Sequence, residues 1–189
     1  AKLGKVLFHP ITSYMTFHGK ATVWEDLNFA PTSAGGPTAT KPDNVTINNV
    51  FYVEFTSSNN QKCGDAKEIP HKYKLGSILH PHMHVFLKAG ESAGATGVTF
   101  TLYYSLRTLT GTVTGNVTMT ATSAQLSASG HKVDIEGAEI AGSSELGAQL
   151  TLALYRTGGN AGDVVVMTYG VHYEIDSAGS SQELVKNSA

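Results

Sequence analysis

Cysteine is almost missing from this chain. Cys63 stands alone, so no internal disulfide can form and no cysteine-based zinc site fits within one chain. Its expected state is a buried, idle thiol. Long apolar runs are missing as well: none approaches the roughly 18 residues that a membrane span needs, and the opening Ala-Lys-Leu-Gly-Lys has no secretory apolar core. The expectation is a soluble protein made in a cytoplasm. Charge is sparse, with Asp, Glu, Lys and Arg at 15% against about 25% in an ordinary globular domain. The 13 basic and 15 acidic residues nearly cancel and no basic block occurs, which argues against binding nucleic acid by phosphate neutralisation. A Gly-x-Ser-x-Gly elbow and a Gly-x-x-x-x-Gly-Lys-Ser/Thr loop are both absent, so these signals of hydrolase and nucleotide chemistry are missing.

What the chain does have is period-two alternation, which sends successive side chains to opposite faces of a sheet. Val45, Ile47, Phe51, Val53 and Phe55 form one apolar stripe, interrupted by Asn49. Val98, Phe100, Leu102, Tyr104 and Leu106 form a second, opposite Thr99, Thr101, Tyr103, Ser105 and Arg107. Val113, Val117, Met119 and Ala121 alternate with a run of threonines suited to a solvated sheet face. Leu146, Ala148, Leu150, Leu152 and Leu154 make a fourth stripe, and Val165, Met167, Tyr169, Val171, Tyr173 and Ile175 the last. No comparable stretch has helical spacing. Turn-forming clusters separate the runs, such as Gly94-Ala95-Thr96-Gly97 and Gly158-Gly159-Asn160-Ala161-Gly162. Many short strands so spaced predict an all-β fold, an antiparallel β-sandwich of jelly-roll type. At 189 residues the chain suits one domain with arms. The expected division is an N-terminal arm with a Pro/Gly-rich loop over 1–43, the sandwich over 44–176 and a polar tail over 177–189.

One segment has the chemistry of a site: His80-Pro81-His82-Met83-His84. In an extended strand His80, His82 and His84 share one face about 7 Å apart, with Leu79, Met83, Val85 and Leu87 on the other. Three readings stay open. The imidazoles chelate a metal within one chain, they meet their copies on a threefold axis and share one ion, or they make ordinary hydrogen bonds at a surface. Pro81 cannot donate to a ladder, so this strand is expected at an edge or a bulge. Among the acids, Asp134, Glu136, Glu139, Glu145, Glu174 and Asp176 are candidates for a glycosidase pair only if two of them face each other across a cleft; solvated acids are the commoner case.

Three stretches, in order, resemble a family of tailed-phage and prophage virion proteins. Val23-Trp24-Glu25-Asp26-Leu27 resembles a Trp-Asp/Glu-Asp-Leu opening followed by a Pro-rich loop. Residues 69–84, from Ile69-Pro70-His71-Lys72-Tyr73-Lys74-Leu75-Gly76 to Leu79-His80-Pro81-His82-Met83-His84, are similar to a Pro-His-x-Trp/Tyr-Lys-x-Gly segment ending in Leu-His-Pro-His-x-His. His172-Tyr173-Glu174-Ile175-Asp176-Ser177-Ala178-Gly179-Ser180, with Glu183 and Lys186, is similar to a closing His-Tyr-x-x-Asp-x-x-Gly-Ser segment. The chain departs from the pattern at Val85, where an aromatic usually follows the last His. The resemblance implies a non-enzymatic, commonly trimeric β-sandwich of the particle, among head decoration, head-fibre and tail accessory proteins. The expectation drawn from it is a capsid decoration or cement protein on the head exterior, made in the host cytoplasm. Its partners would be its own copies in a homotrimer and the major capsid protein, with no nucleic acid and no membrane. No cofactor is expected beyond a possible metal at His80, His82 and His84. Two alternatives stand beside it. One is a receptor-binding or tail-fibre knob that stacks bacterial glycan on aromatics such as Tyr103 or Tyr155. The other is a cupin-like metalloenzyme centred on His80, His82, His84 and His172.

Overall fold

The computed structural model describes residues 5–9, 14–18, 23–31, 40–57, 60–127 and 130–176. In chain order the strands are β1 (Lys5–His9), β2 (Tyr14–His18), β3 (Val23–Phe29), β4 (Asp43–Ile47), β5 (Val50–Phe55), β6 (Lys62–Glu68), β7 (Leu79–Leu87), β8 (Val98–Arg107), β9 (Thr112–Ala121), β10 (Val133–Glu136), β11 (Gln149–Gly159) and β12 (Val164–Ile175). A helical turn, α1 (Ser123–Leu126), follows β9 and is capped by the Thr122 side chain. β1 and β2 pair with each other. The remaining strands build a six-stranded sheet, in the order β10-β7-β12-β5-β4 with β3 beside β12, and a four-stranded sheet, β6-β11-β8-β9. All pairings are antiparallel. The two sheets pack face to face as the expected antiparallel β-sandwich. No helix among the described residues is long and apolar enough to cross a membrane.

The four-stranded sheet follows the alternation of its sequence. Val98, Phe100, Leu102 and Leu106 of β8 are buried, as are Leu150, Leu152 and Leu154 of β11; each such side chain contributes about 1.5–3 kcal/mol of apolar burial. Phe100 meets Phe55 of the opposite sheet edge to face, with ring centroids 5.4 Å apart. Cys63 is buried and in no disulfide, as expected. The same parity carries a charge into the core, because Arg156 follows Leu154 on the inward face and is fully buried. Its guanidinium donates to the carbonyls of Phe55 (2.9 Å), Thr56 (2.5 Å), Ala161 (2.5 Å) and Gly162 (2.9 Å). A strand of one sheet is thereby tied to the end of β5 and the approach to β12 in the other.

The six-stranded sheet breaks the alternation in several places. The stripe expected over 45–55 is a hairpin: Asn48 and Asn49 both take positive φ (51° and 65°), the backbone of a two-residue type I′ turn, which asparagine tolerates. Val45 pairs with Tyr52 and Ile47 with Val50, so Val45 and Ile47 leave the face of Val53 and Phe55. The last stripe is split too. The register slips between Val166 and Thr168, and the residues in the core are Val164, Val166, Tyr169, Val171, Tyr173 and Ile175. Met167 lies outside the core and is 37% exposed. Pro81 sits in an inner strand, at a bulge rather than an edge. Gly137 donates to Pro81 while Leu79 exchanges hydrogen bonds with Ile140, so the neighbouring chain carries one residue too many where a proline has no N–H to offer.

The expected arm over 1–43 is corrected in part, because β3 runs in register with β12 from Val23 opposite Ile175 to Phe29 opposite Tyr169. Phe29 is fully buried in the core. Its stripe was disguised by an acid at an inward position. Glu25 is held by an ion pair with Lys72 and by the Tyr173 hydroxyl, which donates at 3.0 Å; the Lys72 contact holds its carboxyl below the usual range. The sandwich therefore begins at β3 rather than at 44. The tail over 177–189 lies outside the described residues, as do 1–4, 10–13, 19–22 and 32–39 of the expected arm and loop.

Candidate functional site

The outward faces of β3, β12 and β7 lie side by side, and strand register decides which side chains meet. On one rung Asp26, His172 and His80 are neighbours; on the next, Asn28, Gly170 and His82. Gly170 leaves the middle of its rung empty, so His82 Nε2 reaches across the strand to Asn28 Oδ1 at 3.3 Å. No side chain fits there: a Cβ on Gly170 would lie 2.3 Å from the Leu27 carbonyl oxygen. His82 then leans diagonally onto His172, the two rings lying face to face with centroids 3.9 Å apart and planes 14° from parallel. His172 Nδ1 bonds Asp26 Oδ1.

Burial sets the electrostatics. His82 is 2% exposed, and its pKa falls to about 4, first through loss of hydration and then through the neighbouring His172, with Asp26 pulling the other way. The ring is neutral at physiological pH. Its Nδ1 is buried without a hydrogen-bond partner, as is Nε2 of His80.

The three histidines do share the outward face, as the alternation predicts, but they do not act as one set. His84 Nδ1 pairs with Asp134 Oδ1 of β10 at 2.5 Å, and Lys132 joins the same carboxylate at 2.9 Å. His80 turns its ring toward Trp24, edge to face at 4.7 Å, with Glu139 3.8 Å from its Nδ1. Among the described residues, the metal-binding side chains that converge are instead Asp26, His82 and His172, whose donor atoms all lie within 4.8 Å of one another. Of the expected set, His82 is in this group; His80 and His84 are not. Asp26 was hidden because it lies in β3, 146 residues from His172. Its sequence signal was its place in the Trp-Glu-Asp-Leu stretch. A recess of about 350 Å³ opens beside the group, lined by Trp24, His80, Pro81, Glu136, Gly137 and His172.

Two further surfaces carry exposed groups. On the outer face of the four-stranded sheet Tyr103 and Tyr155 form an edge-to-face pair, centroids 4.9 Å apart, with Lys62 Nζ 5.3 Å above the Tyr155 ring. At the edge of the six-stranded sheet, the β4–β5 hairpin exposes Phe51 (82%) and Val50 (50%). A recess of about 560 Å³ lies beside it, lined by apolar side chains including Val45, Ile47, Tyr52, Phe86 and Met167. Of the acids considered for glycosidase chemistry, Glu174 pairs with Lys74 at 2.6 Å and Glu145 accepts from the Leu109 amide at 3.0 Å.

No protein-family model matches this chain, and no curated protein does. Among solved structures it is similar to dimeric latent PorU from Porphyromonas gingivalis, at 13% identity and a TM-score of 0.39, over 82% of this chain and 13% of that one. It is also similar to the CBM22-1–GH10 modules of xylanase 10B from Clostridium thermocellum, complexed with xylohexaose, at 14% identity and a TM-score of 0.39, over 78% of this chain and 25% of that one. The chain thus spans a quarter or less of the length of either protein.

Proposed function

We propose that this chain is a non-enzymatic structural protein of a tailed-phage virion, a decoration protein that binds the outer surface of the head as a homotrimer and stabilises the shell. The observation that carries the reading is the uncovered β4–β5 hairpin. β4 is an outer strand of its sheet, its hairpin holds Phe51 in solvent, and Val50 and Tyr52 of the same hairpin border an apolar recess. Exposed apolar surface at a sheet edge is a hazard to a free monomer and useful to a protein that spends its life against neighbours. The three stretches that resemble virion proteins, which include Trp24, His82 and His172, support the same reading. The major capsid protein is the proposed partner, and repeated weak contacts on a lattice supply the avidity.

The test is addition of purified protein to mature heads that lack it. Binding to heads but not to unassembled capsid protein is expected, with a rise in the temperature at which heads burst. Phe51→Asp should abolish attachment while leaving the circular dichroism spectrum unchanged. A monomer by light scattering at micromolar concentration would count against the trimer. Adhesion to host cells in place of heads would favour a second reading, glycan binding by a receptor-binding knob, for which the Tyr103–Tyr155 pair supplies a stacking surface.

A further inference from the structure

We infer that Asp26, His82 and His172 form a site for one divalent transition metal ion, of the zinc, cobalt or nickel kind, within each chain. The inference stands apart from the virion reading and does not rest on it. Two imidazoles and one carboxylate are a borderline donor set, matched to those ions rather than to calcium or magnesium. Their donor atoms lie within 4.8 Å of one another, whereas ligands about 2.1 Å from a tetrahedral ion are about 3.4 Å apart. The closure required is at most about 1.4 Å, within reach of side chains on fixed strands.

The sheet does the positioning. β3, β12 and β7 are directly paired, so three backbones bonded to one another hold the three ligands. His82 is oriented on its far side as well: Asn28 Oδ1 accepts from Nε2 at 3.3 Å, the kind of carbonyl contact that fixes a ligating imidazole. With that proton placed, Nδ1 carries a bare lone pair, and it is buried with no donor to meet it. An unpaired acceptor on a side chain 2% exposed is costly to a fold unless something satisfies it. The face-to-face rings do not yet point their lone pairs at one spot. His172 is the ring that turns, since it lies at the surface with its side chain 37% exposed. Three protein ligands leave a fourth position for water, and His172 also lines the recess of Trp24 and Glu136.

The test is titration of the chelator-stripped full chain with Co(II), followed by visible absorption, with Zn(II) as competitor. Expected are d–d bands of a nitrogen- and oxygen-bound ion, one per chain, that Zn(II) abolishes. Asp26→Ala and His172→Ala, both at surface positions that leave the core intact, should each weaken binding more than about tenfold. His80→Ala and His84→Ala should change it less than about threefold. Absence of a cobalt spectrum at millimolar metal would overturn the site. So would retention of full affinity in Asp26→Ala, or a plateau at one ion per three chains, which would return the metal to the histidine row on a threefold axis.

Discussion

The two sheets of the sandwich are made of the same kind of alternating sequence and behave differently. In the four-stranded sheet, β8 and β9 pair for ten consecutive residues without a slip, β11 slips once against β8, between Arg156 and Gly158, and the outward face is a field of threonines with one tyrosine pair. The six-stranded sheet is interrupted by an Asn-Asn hairpin, a register slip in β12, a proline at a bulge and a glycine cleared between two rungs. Its outward face carries buried polar groups: His82, and Glu54 paired with Lys88 at 2.8 Å. Regularity yields a surface on which neighbours are interchangeable. Each departure aims a particular side chain, and the group of Asp26, His82 and His172 lies beside two of them, the proline bulge and Gly170.

The contrast can be broken first at the residue that ties the sheets together. Arg156→Ala leaves four carbonyl acceptors, two of them in buried hydrogen bonds, without their donor, and a loss of about 3–5 kcal/mol in equilibrium denaturation is expected. Arg156→Lys should recover only part of it, since one ammonium cannot serve four fixed acceptors. A loss under about 1 kcal/mol would mean that apolar packing alone holds the sheets together.

Acid should act on the irregular sheet through His82. His82 takes up a proton near pH 4 in the folded chain and near pH 6.5 unfolded. Between those values the unfolded state binds the extra proton, so stability falls as pH drops from about 6.5 to about 4. For a shift of this size the loss is about 3 kcal/mol in chelator-treated protein. His82→Gln should flatten that part of the pH profile; an unchanged profile would assign the acid sensitivity to other groups.

Glycines sharpen the comparison at smaller amplitude. Gly170→Ala drives a methyl against the Leu27 carbonyl and should cost about 1–3 kcal/mol, because the clash is with backbone. Gly111, in the turn between β8 and β9, has nothing within 4 Å of its would-be Cβ, and Gly111→Ala should stay within about 0.5 kcal/mol. Smallest of all is Thr118→Lys on the outward threonine field, expected within about 0.5 kcal/mol by thermal melts. A larger loss there would show that the field is covered in solution.

Local alternation by itself determined the sandwich class, the inward stripes of β8 and β11, that of β9 apart from the exposed Val113, and the shared outward face of His80, His82 and His84. These follow from a period of two along a single strand, which any neighbour preserves. What lay between strands was decided elsewhere. The Asn48–Asn49 turn is legible as a type I′ dipeptide, but the apolar positions on either side of it keep parity and mask it. The slip at Met167 left no mark, since valines occupy Val164, Val165 and Val166 alike. β3 was hidden by Glu25, an acid facing inward whose partners, Lys72 and Tyr173, come from distant parts of the chain. The pairing of Asp26 with His172, and of His82 with both, depends on β12 lying between β3 and β7. Sheet order is set by how the whole chain buries its apolar faces, and no window of sequence contains it. The chemistry of a histidine was therefore readable in the sequence, while the company it keeps was settled only by the tertiary structure.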